Sequence, residues 1–307
     1  MKTVSVIVPV YYNAESLSRM FDELADVERR LLARDVAMEL VFVDDGSGDD
    51  SLGQLLKIKA VRPATKVIRL TRNFGAVHAS KTGMLHVTGD AFLVIAADLQ
   101  DPPQLIPEMV DHWLAGAKFV VCARRSRRDP MVTTWLASLY YVLLRVFVAR
   151  DYPPGGFDLA LMDKAFLPYM RGSSKNTYPA VFAYWLGFKP TTILYDRRRR
   201  EHGRSRWTLS KRFKVMLDSL LGFSVTPIRF ISLIGIVVSV LSITYGTVIL
   251  VGALRGKMEV RGFPTIVVLI SFLLGLNIIM MGVIGEYVWR IFDEVNRRPE
   301  SVIDEIY

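Results

Sequence analysis

Cysteine is nearly absent from this chain of 307 residues: Cys122 stands alone. One thiol excludes an intrachain disulfide framework and gives no zinc cluster. Set in the apolar run "KFVVCA", it reads as a small buried residue. There is no internal repeat and no low-complexity linker, which excludes a solenoid or a string of tethered modules. A cleavable leader is not expected either, because "MKTVSVIVPV" passes directly into strand-like sequence. Acid is in deficit, with 30 Asp and Glu against 39 Lys and Arg, a formal charge of +9.

Much of the excess positive charge lies in "DRRRREHGRSRWTLSKRFK", residues 196–214. A nucleic-acid partner explains arginines but not the two long apolar runs beyond them. From Ile228 to Val251 the sequence "IRFISLIGIVVSVLSITYGTVILV" carries only Arg229 as a charge, and "FPTIVVLISFLLGLNIIMMGVI", Phe263 to Ile284, carries none. Each exceeds the roughly 20 residues needed to cross about 30 Å of hydrocarbon. A transmembrane hairpin is expected, with both chain ends on one side. The basic flanks put that side in the cytoplasm. The expected organisation is a cytoplasmic domain over 1–226, two spans within 227–289 and a cytoplasmic tail over 290–307. A third apolar stretch, Met131 to Val148, contains Arg145, hydroxyls and aromatics between charged flanks. It reads as helix lying in or near the membrane interface.

The first part of the chain has another rhythm. Apolar runs, "VSVIVPV", "MELVFVDD", "TKVIRL", "AFLVIAAD" and "KFVVCA", alternate with helix-length segments. That alternation predicts βαβ units around a mainly parallel sheet covered by helices. Ligands of such sheets collect beyond the carboxyl ends of the strands. The acids fall there: Asp44 and Asp45 follow "LVFV", and Asp98 follows "FLVIAA". A lone acid at a strand end caps the next helix. Here the acids have partners. "VDDGSGDDS" suits a tight turn holding a ribose or base. Asp98 and Gln100 alternate around Leu99, so an extended backbone points both side chains one way. They make a small hard-oxygen site suited to Mg²⁺ or Mn²⁺ completed by diphosphate and water.

The ordered set "VSVIVPVYYNAESL", "VFVDDGSGDDS", "LTRNFGAVHASKTGM", "AADLQDPP", "GGFDLALMD" and "RREHGRSRW" resembles family 2 glycosyltransferases of the polyprenyl-phosphate type, over essentially the whole length. The resemblance implies a GT-A fold, a Rossmann-like α/β domain followed by interfacial helices and a two-helix membrane hairpin. By the same likeness, Pro9, Tyr11 and Glu15 surround the nucleotide base, and Asp44 recognises the uridine or its ribose. Asp98 and Gln100 match the metal and diphosphate region, with Asp98 also on the donor side. Ala96 stands where the family often has Asp, which shifts the metal's burden to those two residues and the phosphates. Asp101 is expected to support the turn. Lys81, with Arg72 and Asn73, matches the nucleotide-side wall, whereas His78 and His86 read as ordinary helix residues.

Asp158 of "GGFDLALMD" matches the acid proposed as base or as acceptor-orienting group. A lipid phosphate is anionic near neutral pH and attacks without surrendering a proton, so both roles stay open. Arg200, Ser205 and Arg206 match the loop that closes over diphosphate near the lipid phosphate, and guanidinium forks suit such oxygens. Trp207 fits an interfacial anchor. The implied reaction is inverting transfer from a UDP-sugar to undecaprenyl or another polyprenyl phosphate at the cytoplasmic face of a bacterial inner membrane, and the likeness also implies self-association. A processive synthase is disfavoured by the lack of "QxxRW" and by too few spans. A sugar-phosphate transferase releasing UMP and a membrane-anchored nucleotide-sugar sensor or assembly subunit remain as competitors.

Overall fold

The computed structural model describes residues 1–125, 131–198, 216, 218–219, 221–224, 226–255 and 262–307. They form two compact units, one of Met1–Gly222 with Pro299–Tyr307 and one of Phe223–Arg298. The first unit carries strands β1 (Lys2–Val10), β2 (Val36–Asp44), β3 (Lys66–Leu70), β4 (Ala91–Val94), β5 (Phe119–Arg124), β6 (Phe157–Asp163), β7 (Thr191–Tyr195) and β8 (Ile303–Ile306). Between them lie helices α1 (Ala14–Leu32), α2 (Ser51–Val61), α3 (Ala76–His86), α4 (Ile106–Leu114), α5 (Met131–Phe147), α6 (Leu167–Arg171) and α7 (Pro179–Trp185).

The strands make one sheet in the order β7-β5-β6-β4-β1-β2-β3-β8. β4, β1, β2 and β3 run parallel, as do β5 and β7; β6 and β8 run against their neighbours. The sheet is therefore mixed, with its parallel centre where the unbroken apolar runs placed it. β1 is buried from Val4 to Val8, as a strand covered on both faces must be. Pro9 lies in this central strand without a lost ladder bond. The Ile7 carbonyl accepts from Ile95 N–H on the β4 side, and residues two apart face the same neighbour, so Pro9 faces β4 beyond its last paired residue.

α1 packs through Leu17, Met20, Leu24, Val27 and Leu31, all fully buried at three- and four-residue spacing. Each such side chain contributes about 1.5–3 kcal/mol of burial. Gly83 lets α3 approach Ile7 of β1, where a side chain would collide.

Two findings change the expected organisation. β6 reverses direction, so its beginning lies at the same edge as the ends of the parallel strands. The final residues, expected as a tail, return to the sheet: β8 pairs antiparallel with β3, and Tyr307 exchanges backbone hydrogen bonds with Val67.

The second unit contains α8 (Thr226–Leu254) and α9 (Phe263–Val295). Each holds a stretch long and apolar enough to cross a membrane, Ile228–Val248 and Phe272–Val295, with none of either stretch buried in protein. They run antiparallel: Tyr287 donates to the Ser224 carbonyl at 3.2 Å, and Gly235 lies against Met280. The second stretch extends beyond the expected Ile284 because the helix continues through Trp289, Ile291 and Phe292.

Candidate active site

The site is the sheet edge where β1, β2, β4, β5 and β7 end and β6 begins. At its β2 end, Asp44 is fully buried, and its Oδ1 accepts from Ser47 N–H at 3.2 Å. Its Oδ2 is buried with no hydrogen-bond partner among the described residues. Burial raises the Asp44 pKa above the usual carboxylate value, despite the Ser47 hydrogen bonds. A buried carboxylate oxygen without a partner is costly. Asp45 differs, although burial raises its pKa too. It accepts Phe74 N–H at 2.7 Å and Gly75 N–H at 2.9 Å, so it holds the loop before α3. Gly46 has φ +66° and leaves no room for a Cβ against the backbone of Arg72 and Asn73, which closes the turn onto that loop.

The β1–α1 loop lies beside this turn. Tyr12 adopts φ +55°, uncommon for a residue with a side chain. It is held there by Tyr12 N–H to Ser47 Oγ (3.1 Å) and Asn13 N–H to Ser51 Oγ (2.9 Å). Tyr11 donates its N–H to Asn13 Oδ1 at 2.9 Å, and its ring meets Tyr12 edge-on at 4.8 Å. Glu15 opens α1 and is exposed. Pro9, Tyr11, Glu15 and Asp44 thus belong to one end of neighbouring strands.

Beyond β4 the backbone is not extended as the alternation of Asp98 and Gln100 presumed. β4 ends at Val94, and residues 97–100 turn, with Leu99 at φ +57°. Exposure alternates through that turn: Ala96, Asp98 and Gln100 are partly exposed while Ala97 and Leu99 are buried. The turn is closed by Gln100 N–H to Asp98 Oδ1 (3.2 Å) and tied to α1 by Ser16 Oγ–H to the Ala97 carbonyl (2.7 Å). A left-handed leucine kept in place by its neighbours is the kind of local strain found at functional sites. Among the described residues no three His, Cys, Asp or Glu side chains gather as a metal cage. One carboxylate and one amide still fit Mg²⁺ or Mn²⁺, since such ions keep waters and take phosphate oxygens beside one or two protein carboxylates.

The β6 end is closed on itself. Cys122 pairs with Leu159 and Ala123 with Phe157, so Asp158 falls in a β-bulge. Its two oxygens accept Arg124 Nε–H and Nη2–H at 2.6 Å each, and Tyr195 Oη lies 2.7 Å from Oδ2, its one hydrogen shared between Asp158 and Asp101. Burial alone raises the Asp158 pKa, but the Arg124 hydrogen bonds and charge, with Arg197 and Tyr195, outweigh it and hold the group below its ordinary value. Asp101 lies next to it: Oδ1 is 2.6 Å from the same Tyr195 Oη and 3.0 Å from Arg197 Nε. Burial and the neighbouring Asp158 charge push the Asp101 pKa up. Instead of merely supporting a turn, Asp101 belongs to a buried cluster of two carboxylates, two guanidiniums and a phenol.

Arg124, Tyr195 and Arg197 were not singled out by sequence reasoning. Each stands at or just past a strand end, where an arginine reads as surface charge and a tyrosine as core. Lys81, expected in the nucleotide-side wall, has a buried ammonium engaged within the protein, 2.7 Å from Glu300 Oε1 and 2.8 Å from the Ser174 carbonyl. These contacts clamp the C-terminal segment, with Thr82 and Ser301 hydroxyls 2.6 Å apart beside them. Arg200, Ser205, Arg206 and Trp207 lie outside the described residues.

An α/β sheet with acids along its carboxyl edge is the architecture of nucleotide-sugar enzymes of the GT-A type, and residues 5–177 match Glycosyl transferase family 2. The chain belongs to that family and is a glycosyltransferase. It is 33% identical to the uncharacterized glycosyltransferase YkcC of Bacillus subtilis, covering 99% of this chain and 94% of the relative. It is 30% identical to the SfII prophage-derived bactoprenol glucosyl transferase of Shigella flexneri, covering 98% and 97%. Among solved structures, glucosyl-3-phosphoglycerate synthase from Mycobacterium tuberculosis superposes with a TM-score of 0.49 at 17% identity, over 71% of this chain and 80% of the other.

Proposed function

We propose that the protein transfers a sugar from a UDP-sugar to a polyprenyl phosphate at the cytoplasmic face of a bacterial membrane, with inversion at the anomeric carbon. The observation that carries this reading is the presence, on one chain, of an acidic strand-end edge and two antiparallel apolar helices long enough to cross a bilayer. The Shigella flexneri relative, named a bactoprenol glucosyl transferase and aligned over 98% of this chain, supports the lipid acceptor.

On this reading Asp44 Oδ2 accepts a hydrogen bond from the uridine or its ribose, and Tyr11 and Pro9 shape the base pocket. Asp98 and Gln100 hold Mg²⁺ or Mn²⁺, which when bound supplies positive charge to the diphosphate. A phosphate oxygen of the lipid forms the new bond to C1 as the C1–O bond to UDP breaks; the electron pair leaves with UDP. No proton need be taken from the acceptor. Asp158, engaged by Arg124 and Tyr195, orients those groups and is not a free base. α8 and α9 anchor the enzyme in the bilayer.

The test is incubation of the full-length protein with undecaprenyl phosphate, Mg²⁺ or Mn²⁺ and a panel of UDP-sugars, with lipid products identified by mass spectrometry. A polyprenyl phosphosugar and stoichiometric UDP, both lost in Asp98→Ala, are expected. UMP as the released nucleotide, or no product with any donor despite UDP-sugar binding, contradicts the reading.

A further inference from the structure

A surface pocket of about 680 Å³ opens beside α5, between the end of β5, the 150–155 turn and β7. Its walls carry Arg124, Arg125, Arg145 and Arg150 against a single acid, Asp151. The four cations are not equivalent. Arg124 is neutralised by Asp158 at 2.6 Å, and Arg125 is only loosely paired with Asp196, at 3.8 Å. Arg145 and Arg150 have no ion-pair partner among the described residues. Guanidiniums that outnumber the carboxylates lining a pocket leave excess positive charge there and attract an anion.

The surroundings are apolar on one side. Val142 and Val146 lie one turn apart on α5, with Arg145 one turn from Val142; Val146 is 65% exposed, and Phe147 and Leu194 are exposed as well. At 17 residues α5 is about 26 Å long, short of the roughly 20 residues that cross a bilayer. A helix with an exposed aliphatic face beside unpartnered arginines suits the plane of a membrane surface, where phosphate meets acyl chain.

We infer that this pocket is a docking site for the phosphodiester headgroup of an anionic phospholipid of the surrounding bilayer, held by Arg145 and Arg150 with Arg125, while Val142, Val146 and Phe147 lie against its acyl chains. This lipid is not the acceptor of the reaction; it sets how the domain rests on the membrane. The inference rests on the membrane reading of α8 and α9 but not on the identity of donor or acceptor.

Full-length protein in nonionic detergent is titrated with dihexanoyl-phosphatidylglycerol, dihexanoyl-phosphatidylcholine or inorganic phosphate, with thermal unfolding and native mass spectrometry as readouts. Phosphatidylglycerol is expected to raise the unfolding midpoint by about 3 °C or more and to remain bound in the gas phase, the other two ligands giving neither effect. The Arg145→Gln/Arg150→Gln variant keeps the lipid-free midpoint and loses the shift; Arg150→Gln alone weakens it if the double variant folds poorly. An unchanged shift in these variants overturns the proposal, as does an equal response to inorganic phosphate, which defines a free-anion site. In nanodiscs of zwitterionic lipid the double variant is expected to form product at the wild-type rate, and loss of turnover there would make the pocket the acceptor site instead. Release of wild-type protein from membranes by alkaline carbonate removes the membrane reading, and the proposal with it.

Discussion

The two acidic ends of the sheet are built in opposite ways. At the β2 end, Asp44 is buried with one oxygen unmatched among the described residues, whereas at the β6 end each Asp158 oxygen accepts a short hydrogen bond from Arg124 and one of them shares the Tyr195 hydroxyl hydrogen with Asp101. Asp44 is fully buried and Asp158 half-buried in the same row of strand ends. One keeps an oxygen without a partner among the described residues and the other is engaged on both oxygens by the protein. The count of satisfied oxygens, more than burial, separates the two. The pKa directions agree, since burial goes unopposed enough to raise Asp44 while Arg124 reverses it for Asp158.

Breaking each end separately gives effects of different kind. Asp158→Asn leaves the Arg124 guanidinium buried against a neutral group and is expected to destabilise the fold by about 3–5 kcal/mol, read from the unfolding midpoint of the full-length protein. The same comparison has a pH signature. The lowered Asp158 pKa contributes stability that is complete above the unfolded-state value of about 3.9 and is lost as pH falls through the folded value. Unfolding followed between neutral pH and pH 3 will show wild-type protein losing stability on acidification, with a shallower loss in Asp158→Asn.

Asp98→Ala is expected to lower turnover by about 100-fold or more while leaving the unfolding midpoint in place, because Asp98 is partly exposed and its loss touches a turn rather than the core. A drop in midpoint comparable to that of Asp158→Asn would place Asp98 with the scaffolding acids. Lys81→Met strands Glu300 and loosens the C-terminal strand, at about 1–2 kcal/mol. Hydrogen exchange of the Tyr307 and Val67 amides, which close the last pairing of β8 with β3, is the sensitive probe. The smallest effect has the opposite sign: Asp44→Asn removes a buried charge with an unmatched oxygen and is expected to leave stability unchanged or raise it by about 1 kcal/mol.

The parallel centre of the sheet was legible because strands covered on both faces must be largely apolar, and β1, β2 and β4 are. Asp44, Asp98 and Gln100 were legible as polar residues ending such runs. β8 was not: "IDEI" is a mostly exposed edge strand, and its partner β3 lies more than 200 residues earlier in the chain. The pairing of Lys81 with Glu300 was not legible for the same reason, since nothing near Lys81 in sequence announces it. The left-handed Leu99 and the bulge at Asp158 carry no residue-type signal, as neither uses the glycine that usually marks such geometry. The cluster joining Arg124, Asp158, Tyr195 and Arg197 was hidden because its members arrive from three strand ends separated in the chain by loops and helices.

The most direct test is UDP binding by isothermal titration to Asp44→Asn, with the unfolding midpoint measured on the same sample. Loss of measurable UDP binding at a midpoint equal to or above wild type is the predicted result. Wild-type UDP affinity in Asp44→Asn would contradict the assignment of the β2 end as the open, nucleotide-binding acid.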